Sequence, residues 1–178
     1  MNHTDHVNLL RPASLPAGGT WADLGAGTGA FTLALRDLVG PQATIHAVDK
    51  DGESLRSLSA AYAGRFGPQA TLQVHTADLL GTLELPPLDG VLMANSLHFQ
   101  RDKIAALQHV RELLKPGGVL LLVEYNVDHG NPWVPYPLSY TSFEELAARG
   151  GFRDARLLAT HPSSFLREFY AAMAVRTP

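Results

Sequence analysis

The sequence predicts a doubly wound α/β domain, on three observations. Short apolar runs with strand character alternate with longer stretches of helical period. The run VLLLVEY, 119–125, is almost wholly apolar, as befits a strand covered on both faces of a parallel sheet. The stretch WADLGAGTGAFTLAL, 21–35, sets three glycines at every second position between an apolar run and a helical one. At 178 residues and 46% hydrophobic content, the chain is the size of one domain with a single substantial core.

Each element follows in order. Residues 1–18 are polar and carry two prolines, with the glycine pair Gly18 and Gly19 at their close, so a loop or loosely docked arm is expected. Residues 20–25 read as a buried strand, 29–39 as a helix, 43–49 (ATIHAVD) as a second strand, and 51–66 as an amphipathic helix opened by Asp51. TLQVHT, 71–76, is a third strand and LDGVLMAN, 88–95, a fourth; ADLLGTLELPP between them is short for a helix and crosses mostly as loop. Residues 101–114 form a helix with Ile104, Leu107, Val110, Leu113 and Leu114 on one face, stopped by KPGG before the strand at 119–125. NVDHGNPWVPYPLSY, 126–140, holds three prolines and is irregular. SFEELAARGGF gives a short helix with Ser142 as N-cap and Glu145 closing a capping box. RDARLLATH and REFYAAMAVR then pair as two strands through HPSSFL.

Composition narrows the function. The net charge is −3 and the basic residues are scattered, so no footprint for nucleic acid is present. The absence of cysteine excludes disulfides, thiolate nucleophiles and cysteine metal sites. The first twenty residues lack a secretion signal and no run reaches the length of a membrane span, so a soluble, cytoplasmic protein is expected.

In an open α/β sheet, ligands lie beyond the carboxyl ends of the strands, and the turn after the first strand faces that crevice. Gly25, Gly27 and Gly29 sit on that turn, where side chains would hold a ligand away, and a helix N-terminus follows. Read with Ala30, the spacing suits a nicotinamide dinucleotide and S-adenosylmethionine equally. Asp49 closes the second strand twenty residues beyond Gly29, where a carboxylate accepts both hydroxyls of a ribose, which again both cofactors carry. Asp23 separates them: a carboxylate beneath the glycine turn repels a pyrophosphate and welcomes an α-amino group. Asp78, two residues past the third strand, is placed to reach an adenine amino group.

DLGAGTG, AVDKD, TADLL, DGVLMANSLHF and LLKPGGVLLLVE, in that order and spacing, resemble the class I S-adenosylmethionine-dependent methyltransferases of the small-molecule type, over about residues 20–125. The resemblance implies a Rossmann-like, mostly parallel seven-stranded sheet with its last strand antiparallel, and a cofactor lying across strands one, two and four. It further implies that the backbone of Leu24, Gly25, Ala26, Gly27 and Gly29 holds the methionine part and that Asp49 holds the ribose. Lys50 then flanks the adenine, Ala77, Asp78 and Leu79 frame its edge, and the Asn95 backbone approaches the sulfonium. The products are a methylated small-molecule acceptor and S-adenosylhomocysteine.

Methyl transfer from a sulfonium mainly requires alignment, and a base only where the acceptor must lose a proton. His98, three residues beyond the fourth strand, is the candidate base by position, with Glu124, Tyr125 and His129 toward the same crevice mouth as polar loop residues. Tyr125, Trp133 and Tyr136, with Tyr140, form a stiff aromatic wall for an acceptor. The histidines are dispersed, so no metal is expected. With no sizeable lid in the chain, the site is either open or closed by a second subunit, as in a homodimer. Two alternatives stand beside this reading: a dinucleotide oxidoreductase, against which the lack of a Tyr-x-x-x-Lys pair counts, and a non-catalytic module retaining the pocket.

Overall fold

In the computed structural model, which describes residues 1–68 and 70–178, the chain begins with α1 (His3–Leu10) and a 3-10 turn at Arg11–Ala13. It continues through β1 (Thr20–Leu24), α2 (Ala30–Val39), β2 (Thr44–Asp49), α3 (Gly52–Phe66), β3 (Leu72–Thr76) and β4 (Leu88–Ala94). After a 3-10 turn at Leu97–Phe99 come α4 (Lys103–Leu113), β5 (Leu114–Tyr125), α5 (Tyr140–Arg149), β6 (Phe152–Pro162) and β7 (Glu168–Arg176). The seven strands form one sheet in the order β3-β2-β1-β4-β5-β7-β6. Strands β1 to β5 pair in parallel, and β7 runs antiparallel to both β5 and β6. This is the doubly wound α/β sheet, antiparallel at its end, that the sequence implied.

The two core layers follow from the period of two along the strands. On β5, Leu121 and Val123 point toward α1, α2 and α3, while Leu120 and Leu122 point toward α4 and α5. The helices answer with apolar stripes at helical spacing: Phe31, Ala34 and Leu35 on α2, Leu55, Leu58 and Tyr62 on α3, Ala106, Leu107 and Val110 on α4. Trp21 of β1 is enclosed, donates its indole N–H to the Gly18 carbonyl at 3.0 Å, and lies flat where a Cβ on Gly90 of β4 would stand. Bulk on one strand is thus matched by its absence on the neighbour.

Three expectations are corrected. Residues 3–10 are a helix rather than a loop: Asn2 and Asp5 form a reciprocal capping box, and Val7, Leu9 and Leu10 are buried against the core. The helix at 140–149 is capped by Ser139, whose side chain accepts the Ser142 N–H, so Glu145 lies in its interior and closes no box. β5 starts at Leu114, which pairs with Leu88; KPGG forms an irregularity within the strand before pairing resumes at Val119 with Gly90. The 77–87 segment crosses as irregular chain, as expected. Among the described residues, no helix is long and apolar enough to cross a membrane.

Candidate active site

The sheet order reverses direction at β1 and β4, and the crevice that opens there is bounded by the carboxyl ends of four parallel strands. At the end of β1 the chain turns on glycines in the left-handed region: Gly25 at φ +84°, Gly27 at +51°, Gly29 at +91°. The Gly25 and Ala26 amides donate to the Val48 carbonyl at 2.8 and 3.0 Å, and the Gly27 amide donates to Asp49 Oδ2 at 2.8 Å. The loop is therefore sewn to the end of β2. Each glycine has its own reason. A Cβ on Gly25 would overlap Ser96, one on Gly29 would stand 2.5 Å from Leu58 Cγ, and one on Gly27 would meet nothing within 4 Å. Gly29 is thus required by helix packing and by the N-terminus of α2, whereas Gly27 borders open space.

Two cavities flank this loop and adjoin at Gly25 and Asn95. The first, about 240 Å³, is walled by Asp49 and Lys50 after β2, by Ala77, Asp78 and Leu79 after β3, and by Ser96 and Phe99 after β4. The second, about 260 Å³, lies between the glycine loop and α1, with Asp23, Phe31 and His6 among its lining residues. Ten of the twelve residues expected to bind a cofactor border one cavity or the other. Leu24 and Gly29 do not: the Leu24 carbonyl accepts the Ser96 hydroxyl at 2.7 Å, inside the core.

Asp23 carries the strongest electrostatic feature. It is enclosed, its Oδ2 accepts the Thr32 hydroxyl at 2.6 Å, and its Oδ1 has no partner among the described residues. Burial raises its pKa to about 7, against the pull of Thr32 and with a contribution from the nearby Asp49 carboxylate. A half-satisfied carboxyl on a cavity wall is a socket for a hydrogen-bonding cation. Asp49 does more than cap a strand. Besides Gly27, it accepts the Asp51 amide on Oδ1 at 2.9 Å, so each oxygen keeps a second lone pair, and the residue lines the first cavity. Asp51, as the sequence suggested, caps α3 by accepting the Glu53 amide. Asp78 is exposed and closes its own turn through the Leu80 amide at 2.9 Å. Asn95 adopts a left-handed conformation, φ +54°, and its buried Oδ1 has no partner among the described residues.

Beyond β4, His98 is enclosed and lies beside the first cavity rather than on its wall. Its Nδ1 donates to Glu124 Oε2 at 2.7 Å and its backbone amide to Glu124 Oε1 at 3.0 Å. Glu124 is fully buried at the end of β5, correcting its assignment to a surface loop. This arrangement fixes the tautomer and leaves Nε2, which makes no hydrogen bond among the described residues, free to take a proton. Lys103 approaches from α4, where burial lowers the pKa of its ammonium against the pull of Glu124. The rings of Phe99 and Tyr125 lie 4.3 and 6.2 Å from that of His98.

The expected wall is only partly assembled. Tyr125 stands edge-on to Phe165 at 5.9 Å, and Phe165 edge-on to Trp133 at 6.4 Å, with Trp133 72% exposed. Tyr136 faces Lys103 at 5.7 Å, Tyr140 packs on Tyr170 at 6.0 Å, and His129 is exposed on the loop. Sequence reasoning missed Thr32, Ser96, Phe99, His6 and Phe165. Only Phe99 and Ser96 left a trace, by following Asn95 closely.

Residues 22–120 match the family model described as a methyltransferase domain. An arsenite methyltransferase of Aquipseudomonas alcaligenes is 32% identical over 88% of this chain and 50% of its own length. A reducing polyketide synthase of a Penicillium species is 26% identical over 78% of this chain, which is 6% of the synthase. The chain thus spans half or less of these relatives. A solved phosphoethanolamine N-methyltransferase 2 of Haemonchus contortus, in complex with phosphomonomethylethanolamine and S-adenosylhomocysteine, superposes with a TM-score of 0.78. At 17% identity, over 98% of this chain and 53% of that one, this likeness speaks for the fold. Matched over more than half of its length, the chain belongs to the methyltransferase domain family.

Proposed function

We propose that the chain transfers a methyl group from S-adenosylmethionine to a small, largely apolar acceptor that yields a proton to His98. One observation carries the reading: the enclosed Oδ1 of Asp23, unpartnered among the described residues, lines a cavity that adjoins a second one of about 240 Å³ walled by Asp49 and by Ala77 to Leu79. An ammonium suits that socket, whereas a pyrophosphate would meet both Asp23 and Asp49. Asp23 would hold the amino group, Asp49 the ribose hydroxyls, Ala77 to Leu79 the adenine edge, and Lys50 its flank. When bound, the cofactor supplies a methyl already activated by positive sulfur.

The protein's own contribution is to position the acceptor and to move its proton. Glu124 orients the His98 ring through Nδ1, so that Nε2 takes the proton and Glu124 balances the imidazolium that forms. Phe99, Tyr125, Phe165 and Trp133 offer ring faces and edges to an apolar acceptor. Trivalent arsenic is soft and is best met by thiolate ligands, and these 178 residues hold no cysteine, which supports an acceptor other than arsenite.

Thermal unfolding with S-adenosylhomocysteine against NADH tests the cofactor: the former is expected to raise the midpoint and the latter to leave it unchanged. A screen of small apolar hydroxyl and carbon acids for S-adenosylhomocysteine release, with His98→Ala as control, tests the acceptor. Stabilisation by NADH alone would overturn the reading.

A further inference from the structure

The cavity between the glycine loop and α1 is closed by a helix outside the 22–120 family match, and that helix brings an imidazole to it. We propose that His6 binds the α-carboxylate of an amino-acid ligand whose ammonium is met by Asp23. This rests on reading the cavity as the methionine end of the cofactor site.

Asp23 and His6 are the two ionisable side chains on its wall. An α-amino acid carries its two opposite charges on one carbon, so a site that recognises it needs an anion and a hydrogen-bonding, cationic-capable group close together. Asp23 Oδ1 is the first. His6 supplies the second: its ring lies tilted against Phe31 at 4.6 Å between centroids, and among the described residues neither ring nitrogen makes a hydrogen bond.

The ring's position is not left to chance. α1 is anchored by buried Val7, Leu9 and Leu10, by the His3–Asp37 pair at 2.7 Å, and at 3.8 Å by Asp5 with His161 of β6. The charged and titratable groups around His6 are the Met1 amino group, His3 and Asp5 on its own segment, and His161 opposite. Burial, then the Met1 amino group and His3, lowers its pKa against the pull of Asp5, which favours the neutral, N–H-donating ring, and an approaching carboxylate would help to protonate it.

Calorimetric titration with S-adenosylhomocysteine and with 5′-methylthioadenosine, which lacks the amino-acid part, isolates the role. His6→Phe keeps the packing on Phe31 and removes both nitrogens. It is expected to raise the Kd for S-adenosylhomocysteine about tenfold and to leave that for 5′-methylthioadenosine within about twofold. His6→Gln, which retains a donor, should fall between wild type and His6→Phe, and it carries the test should the phenylalanine variant not fold. Hydrogen exchange across His3–Leu10 should slow with S-adenosylhomocysteine and not with 5′-methylthioadenosine. An unchanged Kd in both variants overturns the proposal, as does an equal loss for both ligands, which would make α1 a mere wall. If the wild type binds neither ligand, the cofactor reading itself falls, a result distinct from either.

Discussion

His98 and Glu124 are joined twice, ring to carboxylate at 2.7 Å and backbone amide to carboxylate at 3.0 Å, with both side chains shut away from solvent. Glu124 therefore sets the ring's tautomer and the path of the chain that carries it. For an acceptor that must lose a proton, His98→Ala should lower turnover about 10² to 10⁴-fold without moving the S-adenosylhomocysteine Kd. Glu124→Gln should shift the pH–rate profile and destabilise the fold by about 1 to 3 kcal/mol in urea titrations, since one N–H of His98 then faces an amide NH₂. A pH–rate profile identical to wild type would leave Glu124 a purely structural residue.

Asp49 ties the glycine loop to β2 and lines the first cavity. Asp49→Ala is expected to weaken S-adenosylhomocysteine by about 1 to 3 kcal/mol, through lost charged hydrogen bonds to ribose and a loosened loop. Calorimetry giving the wild-type constant would remove Asp49 from the site.

Asp23 makes stability fall as pH rises. Folded, its carboxyl titrates at about 7, while an unperturbed one titrates at 3.8. Between these values the unfolded chain binds fewer protons than the folded one, so the cost of the buried charge appears gradually and is complete above pH 7. Asp23→Asn, whose amide oxygen still accepts the Thr32 hydroxyl, should stabilise the ligand-free protein by about 2 to 4 kcal/mol at pH 8 and hardly at all at pH 4. Denaturation curves at both values check the slope. A gain that shrinks toward high pH would contradict it.

Gly90 leaves room for Trp21. Gly90→Ala forces a methyl group into the indole ring of an enclosed tryptophan and should cost about 3 kcal/mol or more, read from the urea midpoint by tryptophan fluorescence. An unshifted midpoint would mean that β1 and β4 part more easily than their packing indicates.

The central sheet was legible because its strands are apolar on both faces and its turns are marked by glycine, signals that lie within a few residues of one another. The N-terminal helix was not. Eight residues do not hold a helix by themselves; α1 exists because Val7, Leu9 and Leu10 meet side chains far along the chain. The start of α5 was misplaced for a related reason. Asp128 accepts the Ser139 amide and Asn126 the Tyr140 amide, which fixes the cap one turn before Ser142, and neither bond is visible in a local pattern. Asp23 and Asp49 could be found from their spacing to the glycines. The partnership of His98 with Glu124 spans 26 residues, and the presence of His6 on the cavity that Asp23 lines depends on where α1 docks.

Because the carboxylate at the tip of β2 also grips the middle of the glycine turn, one negative group answers to two masters. Whatever engages it alters the floor on which the other half of a ligand rests. Fragments carrying only a nucleoside or only an amino acid should then bind more weakly, even when summed, than the intact molecule.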